Sequence, residues 1–273
     1  MSKMMENSQQ PSPGNSDLDP NEKNGGQFRQ RWTTLVDLSR ANLPLLGCCL
    51  VTGLLDTTMF QAYGTFVSMQ TGNTIFLGLG ASNQNNHKYD WARSLCSIGC
   101  FAMGAFFFSR LHRYLRPQPI QRGTLAASFF IQTICIAIAA ALIQAGVIAD
   151  RKNYATNDWT EMAGIAFLSF QAAGQIVSSR VLGVNELPTV VITSLMCDLW
   201  SDPKLFAMAS NPKRNNRIAG FVLTLVGSIV GGWMLKGTGT VQPVLWLVCG
   251  IKFVIGLGWV LWKGQEGPKP EVA

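Results

Sequence analysis

From about residue 43 onward, apolar residues fill the chain in runs that are long and continuous, without the alternating faces of a soluble fold. Residues 123–149 contain no Asp, Glu, Lys or Arg and exceed the roughly 20 residues a helix needs to cross a bilayer core. Comparable runs cover 43–60, 94–108, 162–177, 218–235 and 241–262, so the pattern predicts six full spans. Two shorter runs, 66–80 and 187–200, have only about 14 or 15 residues, the length of re-entrant or broken helices.

Both short runs carry polar interruptions. Gln70-Thr71-Gly72-Asn73-Thr74 is set between Phe66-Val67 and Ile75-Phe76-Leu77, and Val184-Asn185-Glu186-Leu187-Pro188-Thr189 interrupts a second apolar region in the same manner. Backbone at membrane depth is normally helical, because an unpaired amide in hydrocarbon costs several kcal/mol. Polar breaks therefore point to a cavity or pathway, or to tight turns between helical pieces. An ungapped offset that sets Thr74 on Thr189 also sets Gln70 on Asn185 and Asp56 on Gln171. The expected architecture is all-α: a polytopic transmembrane helix bundle of six full spans plus two short broken or re-entrant helices, built as an inverted repeat.

Composition and charge sharpen this picture. The 273 residues are 48% hydrophobic and 14% charged, against about 25% charged in soluble domains, so the chain reads as an integral, multi-pass membrane protein in a lipid bilayer. Residues 1–39 form a polar tail, Pro/Gly-rich around Pro11, Pro13 and Gly25-Gly26, which is expected to be disordered and lacks the apolar core of a cleaved signal peptide. The transmembrane domain is expected over 40–263, with half one at about 40–149, half two at about 159–263, and a short C-terminal tail over 264–273. Eight crossings would put Arg110, His112, Arg113, Arg116 and Arg122 outside, against the positive-inside rule. With the short segments re-entrant, this loop, the one with Lys204, Lys213, Arg214 and Arg217, and both termini are cytoplasmic. Each half then has an odd number of spans and the second is inserted upside down, a known transporter plan.

The run Gly53-Leu54-Leu55-Asp56, followed by Tyr63-Gly64-Thr65-Phe66-Val67 and Gln70-Thr71-Gly72-Asn73-Thr74, resembles the opening signature of the YoaK-like family of uncharacterised membrane proteins. The later run Pro188-Thr189-Val190-Val191-Ile192-Thr193-Ser194-Leu195 is similar to that family's second-half Pro-Thr motif. The resemblance covers roughly residues 40 to 262. It implies architecture, with no established substrate to carry over.

Seven cysteines lie in or beside apolar runs and read as reduced, small apolar residues. The two histidines, His87 and His112, are placed in loops, and with no CxxC pair the residues offer no metal site and imply no cofactor. The net charge of +7 is scattered over loops without an aromatic-interleaved basic patch, so no nucleic acid is expected as a partner. No Ser/His/Asp, Cys/His or paired-carboxylate set reaches membrane depth, so there are no catalytic residues and an enzyme is not expected.

The candidate substrate- or ion-binding residues are Asp56, Gln70, Thr71, Asn73, Thr74, Gln171, Asn185, Thr189 and Lys252. An intramembrane carboxylate costs on the order of 3 kcal/mol on insertion scales, so Asp56 reads either as a proton or cation site or as a cap on the nearby break. Lys252, central in the last span, reads as a buried pair partner, with Asp56 as one candidate, or as part of an anion site. Gln70 to Thr74 either bind a small polar solute or cap the second helical piece. Gln171, Asn185 and Thr189 are the second-half counterparts. Arg180 and Glu186 read as a solvated surface pair, and the tryptophans as interfacial anchors. Gly227 and Gly231 form a GxxxG that permits close packing and a homo-oligomer. The favoured reading is a transporter of a small solute or ion working by alternating access. The alternative is a membrane scaffold or assembly protein without transport activity.

Overall fold

The computed structural model describes residues 34–85, 89–114, 120–151 and 159–264. The expected disordered tail up to residue 33, the C-terminal tail from 265, and with them His87, Arg116 and the 152–158 loop, lie outside the described residues. Among the described residues there is no strand, and besides a short 3-10 turn at Leu38–Arg40 there are eight α-helices. They are α1 (Asn42–Tyr63), α2 (Gln70–Ala81), α3 (Asp90–Tyr114), α4 (Arg122–Gln144), α5 (Glu161–Val181), α6 (Ile192–Trp200), α7 (Pro212–Thr238) and α8 (Gln242–Leu261). The order long, short, long, long thus occurs twice. Helices of the second set follow their counterparts at a near-constant interval, a few residues longer than the spacing from Thr74 to Thr189.

Among the described residues, five helices are long and apolar enough to cross a membrane: α1 with the turn before it, α3, α4, α7 and α8. Helix α5 has 21 residues but carries Ser169, Gln171, Gln175, Ser178 and Ser179, all buried. It falls short in apolarity because its polar side chains face other helices. The bundle is apolar on its outside as well as in its core. Ile75, Met103, Phe106, Ile134, Ile229 and Val254 are exposed, while Asp56, Gln171 and Lys252 are enclosed. An outward apolar belt with the ionisable groups turned inward is what a lipid environment demands.

The first break lies earlier than the polar run suggested. Gly64 stops α1 with a left-handed backbone at φ 71°, donating its N–H to Phe60 O at 2.8 Å. Residues 64–69 form the break, and Gln70 to Thr74 are the opening turn of α2. The second break spans 182–191, with Gly183 at φ 71° after the last turn of α5. Pro188 sits inside this break, and α6 begins only at Ile192.

Three long packings organise the bundle: α1 on α7, α3 on α5 and α4 on α8. Glycines set the first two. A Cβ on Gly53 would sit on the Thr224 carbonyl oxygen, one on Gly227 on the Leu50 carbonyl oxygen, and one on Gly231 2.9 Å from Leu54 O. The pairs advance together, so α1 and α7 run parallel with their backbones touching. The GxxxG is therefore occupied within the chain. Gly104 of α3 meets the Phe170 carbonyl in the same way, while Cys96 faces Met162 and Ser97 faces Ser169, so α3 and α5 are also parallel. Helices α4 and α8 run antiparallel, pairing Gln132 with Lys252 and Gln144 with Trp246.

Two apolar clusters fill the interior. One gathers Val51, Met59, Tyr63, Ile136, Leu168 and Val248, and the other Leu45, Cys49, Leu125, Phe129, Leu187 and Trp259. Trp259 is thus core, against Phe129 and Trp262, whereas Trp200 and Trp233 are about two-thirds exposed, as interfacial anchors would be. His112 is in the last turn of α3 and buried, not in a loop.

Adding a methyl group at the α1–α7 crossing has to push two backbones apart. Gly53→Ala and Gly227→Ala should each cost about 3 kcal/mol, at the upper end for overpacking. Gly99→Ala and Gly250→Ala, where nothing lies within 4 Å, should be nearly neutral. Thermal unfolding of the purified variants in detergent measures the contrast.

Candidate functional site

The first break is closed by side chains from the helices on either side of it. Asp56, two turns before the end of α1, accepts hydrogen bonds from Val67 N and Ser68 N at 2.9 Å each and from the Ser68 hydroxyl. Asn73, in the first turn of α2 and fully buried, accepts from Thr65 Oγ1 at 2.9 Å and Phe66 N at 3.0 Å. Its amide group donates to Phe66 O, Gln70 Oε1 and Ser97 Oγ. Ser97 of α3 donates to Phe66 O and meets Ser169 of α5 at 2.9 Å. The outer side of the break is covered by the stacked rings of Phe60, Phe66 and Phe76.

A second polar group lies between the two apolar clusters. Lys252 of α8, fully buried, donates to Gln132 Oε1 of α4 and Gln175 Oε1 of α5, both at 2.7 Å, and stands 5.3 Å from the Phe129 ring centroid. Gln175 donates to Thr52 Oγ1 of α1 at 2.7 Å, and that hydroxyl reaches Thr189 O at 2.8 Å in the second break. Four long helices and the second break therefore meet at one layer. Gly174 makes room for it, since a Cβ there would lie 2.8 Å from the Gln132 amide.

At the edge of this layer sit two uncommitted groups. Gln171, one helical turn before Gln175 on α5, is fully buried, and neither end of its amide has a hydrogen-bond partner among the described residues. Thr189 is 2% exposed, its hydroxyl is also unpartnered, and its backbone takes the left-handed conformation at φ 58°. That conformation is uncommon for a β-branched residue and costs on the order of 1–3 kcal/mol. Unsatisfied buried polar groups and backbone strain concentrate where a protein binds something.

The candidate residues thus separate. Asp56, Gln70 and Asn73 belong to the scaffold of the first break. Thr71 and Thr74 are exposed on α2, with Thr74 bonded back to Gln70 O at 2.9 Å. Asn185 is exposed and accepts from Arg180 at 3.1 Å, so Arg180 is engaged by Asn185 where a pair with Glu186 was expected. Lys252 and the Thr189 carbonyl belong to the central layer, and Gln171 lies one helical turn from it along α5. Asp56 and Lys252 do not pair: all three Asp56 partners are loop donors, and Lys252 has two amide oxygens and a ring face. Thr52 and Gln132 complete the layer and were not among the candidates. For Gln132 the signal was present, as the amide near the middle of the charge-free run 123–149.

Removing the Asp56 carboxylate leaves two backbone amides without acceptors, at roughly 1–3 kcal/mol each. Asp56→Ala should therefore lower unfolding free energy by about 3 kcal/mol, while Thr74→Ala should leave it almost unchanged. Chemical denaturation in detergent, followed by circular dichroism, reads the difference.

Comparison with known proteins places the molecule in a family without placing it in a pathway. The family described as DUF1275, protein of unknown function, matches residues 45–258, from the first turn of α1 to the end of α8, including both breaks, Asp56 and Lys252. No curated protein matches the chain, and no solved structure matches it. With most of its length matched, the chain belongs to the DUF1275 family of proteins of unknown function.

Proposed function

We propose that this protein is a transporter of a small solute or ion, working by alternating access around the central polar layer. The observation that carries this reading is the layer itself. Deep in a membrane bundle, beside a broken helix, a lysine held by two amides is joined through Gln175 and Thr52 to a strained threonine, and one turn along α5 lies an amide with both ends uncommitted among the described residues. Buried ionisable groups at membrane depth mark solute or proton pathways by default, and broken helices commonly form transporter sites.

The directions of the helices support a six-span, inverted arrangement. If α1, α4 and α7 run one way and α3, α5 and α8 the other, every parallel and antiparallel contact is accounted for, and the long helices alternate in chain order without α2 or α6 crossing. The pairings α1–α7 and α3–α5 then exchange under the repeat, and α4–α8 maps onto itself. In this arrangement both termini are cytoplasmic. The occupied GxxxG leaves any homo-oligomer to a different face.

One observation favours the scaffold reading instead. Asp56, Asn73 and Thr189 are 6%, 0% and 2% exposed, sealed among side chains. An occluded transporter is sealed in the same way at one stage of its cycle, whereas a channel open at both ends is not.

Single cysteines in a cysteine-less background separate these readings. Positions 113 and 214 should both label from the cytoplasm, and positions 171 and 189 should react slowly with a water-soluble thiol reagent from each side in turn. Labelling of 113 and 214 from opposite sides would end the six-span model. Protection of 171 and 189 from both sides would put the scaffold ahead.

A further inference from the structure

At the end of the bundle where the parallel helices α1 and α7 finish, Thr57, Gln61, Arg151, Gly232, Leu235 and Lys236 line a pocket of about 370 Å³. This is within the roughly 300–1,000 Å³ of small-molecule sites. Among the described residues the lining contains two cations and no acid. Among them, neither Arg151 nor Lys236 is paired with a carboxylate, and neither Thr57 nor Gln61 spends its side chain on a hydrogen bond. Four groups able to donate hydrogen bonds thus line one pocket without an acceptor among the described residues.

The site is held in place by contacts of its neighbours. Ala149 O accepts from Tyr63 OH at 2.7 Å, and the Asp150 carboxylate accepts from Val241 N at 3.0 Å. The chain delivering Arg151 is therefore pinned to the ends of α1 and α8, and the adjacent acid is engaged elsewhere. Gly232 keeps the floor open, since an added Cβ would meet only Thr57 Cγ2, at 3.7 Å.

The pocket stands at headgroup level. Trp233, 66% exposed, neighbours Lys236, whose Nζ is 5.0 Å from the ring centroid, and exposed tryptophans near helix ends favour the membrane–water interface. In the six-span arrangement this end is opposite the strongly basic loops, so the positive-inside bias does not account for its two cations.

We infer that this pocket binds a phosphate-class oxyanion, with Arg151 and Lys236 as the charged donors and Thr57 and Gln61 as the neutral ones. Arg presents a planar fork matched to such oxygens, and Lys a point charge. The same chemistry is offered by an anionic lipid headgroup and by free phosphate. The inference does not depend on transport, because a scaffold would keep the pocket equally well.

The test uses the full chain in phosphatidylcholine nanodiscs. Tryptophan fluorescence is recorded for the wild type and for Trp233→Phe, so that their difference reports on the pocket. Inorganic phosphate is titrated at constant ionic strength against chloride, and a second set of discs contains phosphatidylglycerol. A saturable Trp233-dependent change with phosphate identifies the free anion as a source, and one that needs phosphatidylglycerol identifies the headgroup. In either case Arg151→Gln and Lys236→Gln should each weaken the response about tenfold, with Arg151→Lys weakening it less and circular dichroism unchanged. No response in either arm would overturn the inference. So would an equal response to chloride, or a doubly substituted R151Q/K236Q protein that responds like the wild type.

Discussion

Everything in this bundle depends on how two interrupted helices satisfy their backbones without water. The two breaks do so with different chemistry. The first presents N–H groups at Phe66, Val67 and Ser68 to the acceptors of Asp56 and Asn73, and the carbonyls of Phe66 and Val67 to Asn73, Ser97 and Gln70. The second presents carbonyls, at Val184, Leu187 and Thr189, and meets them with the hydroxyls of Ser179 and Thr52. A carboxylate suits the first task and would be repelled in the second.

Once both breaks are closed locally, the central layer is left with polar groups that the backbone does not need. Lys252, Gln132 and Gln175 serve mainly one another, and apolar clusters bound them on both sides. A layer of this kind stabilises poorly, since removing charge and amides from water is costly even when they are bonded. Its position, at the contact of α1, α4, α5 and α8 with the second break, is one where a small shift of one half against the other would change the bonds of Gln132 with Lys252 and of Thr52 with Gln175 and Thr189.

Much of the architecture was legible in the sequence, because lipid contact imposes long apolar runs that hydropathy reads directly. Helix α5 was legible as a run but is weaker by composition, its polar side chains being turned inward. The first break was misplaced because polar residues mark the cap rather than the loop: Gly64, with its left-handed backbone, ends α1, and Asn73 reaches back to hold the loop at Thr65 and Phe66. Asp56 was open between binding site and cap, and only its three loop donors decide where its oxygens are spent. The partners of Lys252 could not be read at all. Gln132 and Gln175 come from other helices, and no local pattern ties them to residue 252.

The pairing of α1 with α7 and of α3 with α5 has a consequence for how the protein is made. Helix α1 enters the membrane long before α7 has been synthesised, so its Gly53 face must wait in lipid, or against the insertion machinery, for a partner from the other end of the chain. Helix α3 waits in the same way for α5. Neither half buries its own glycine faces, so each depends on the other for its closest packing. During synthesis the first half holds these faces unpartnered until α5 and α7 have been made.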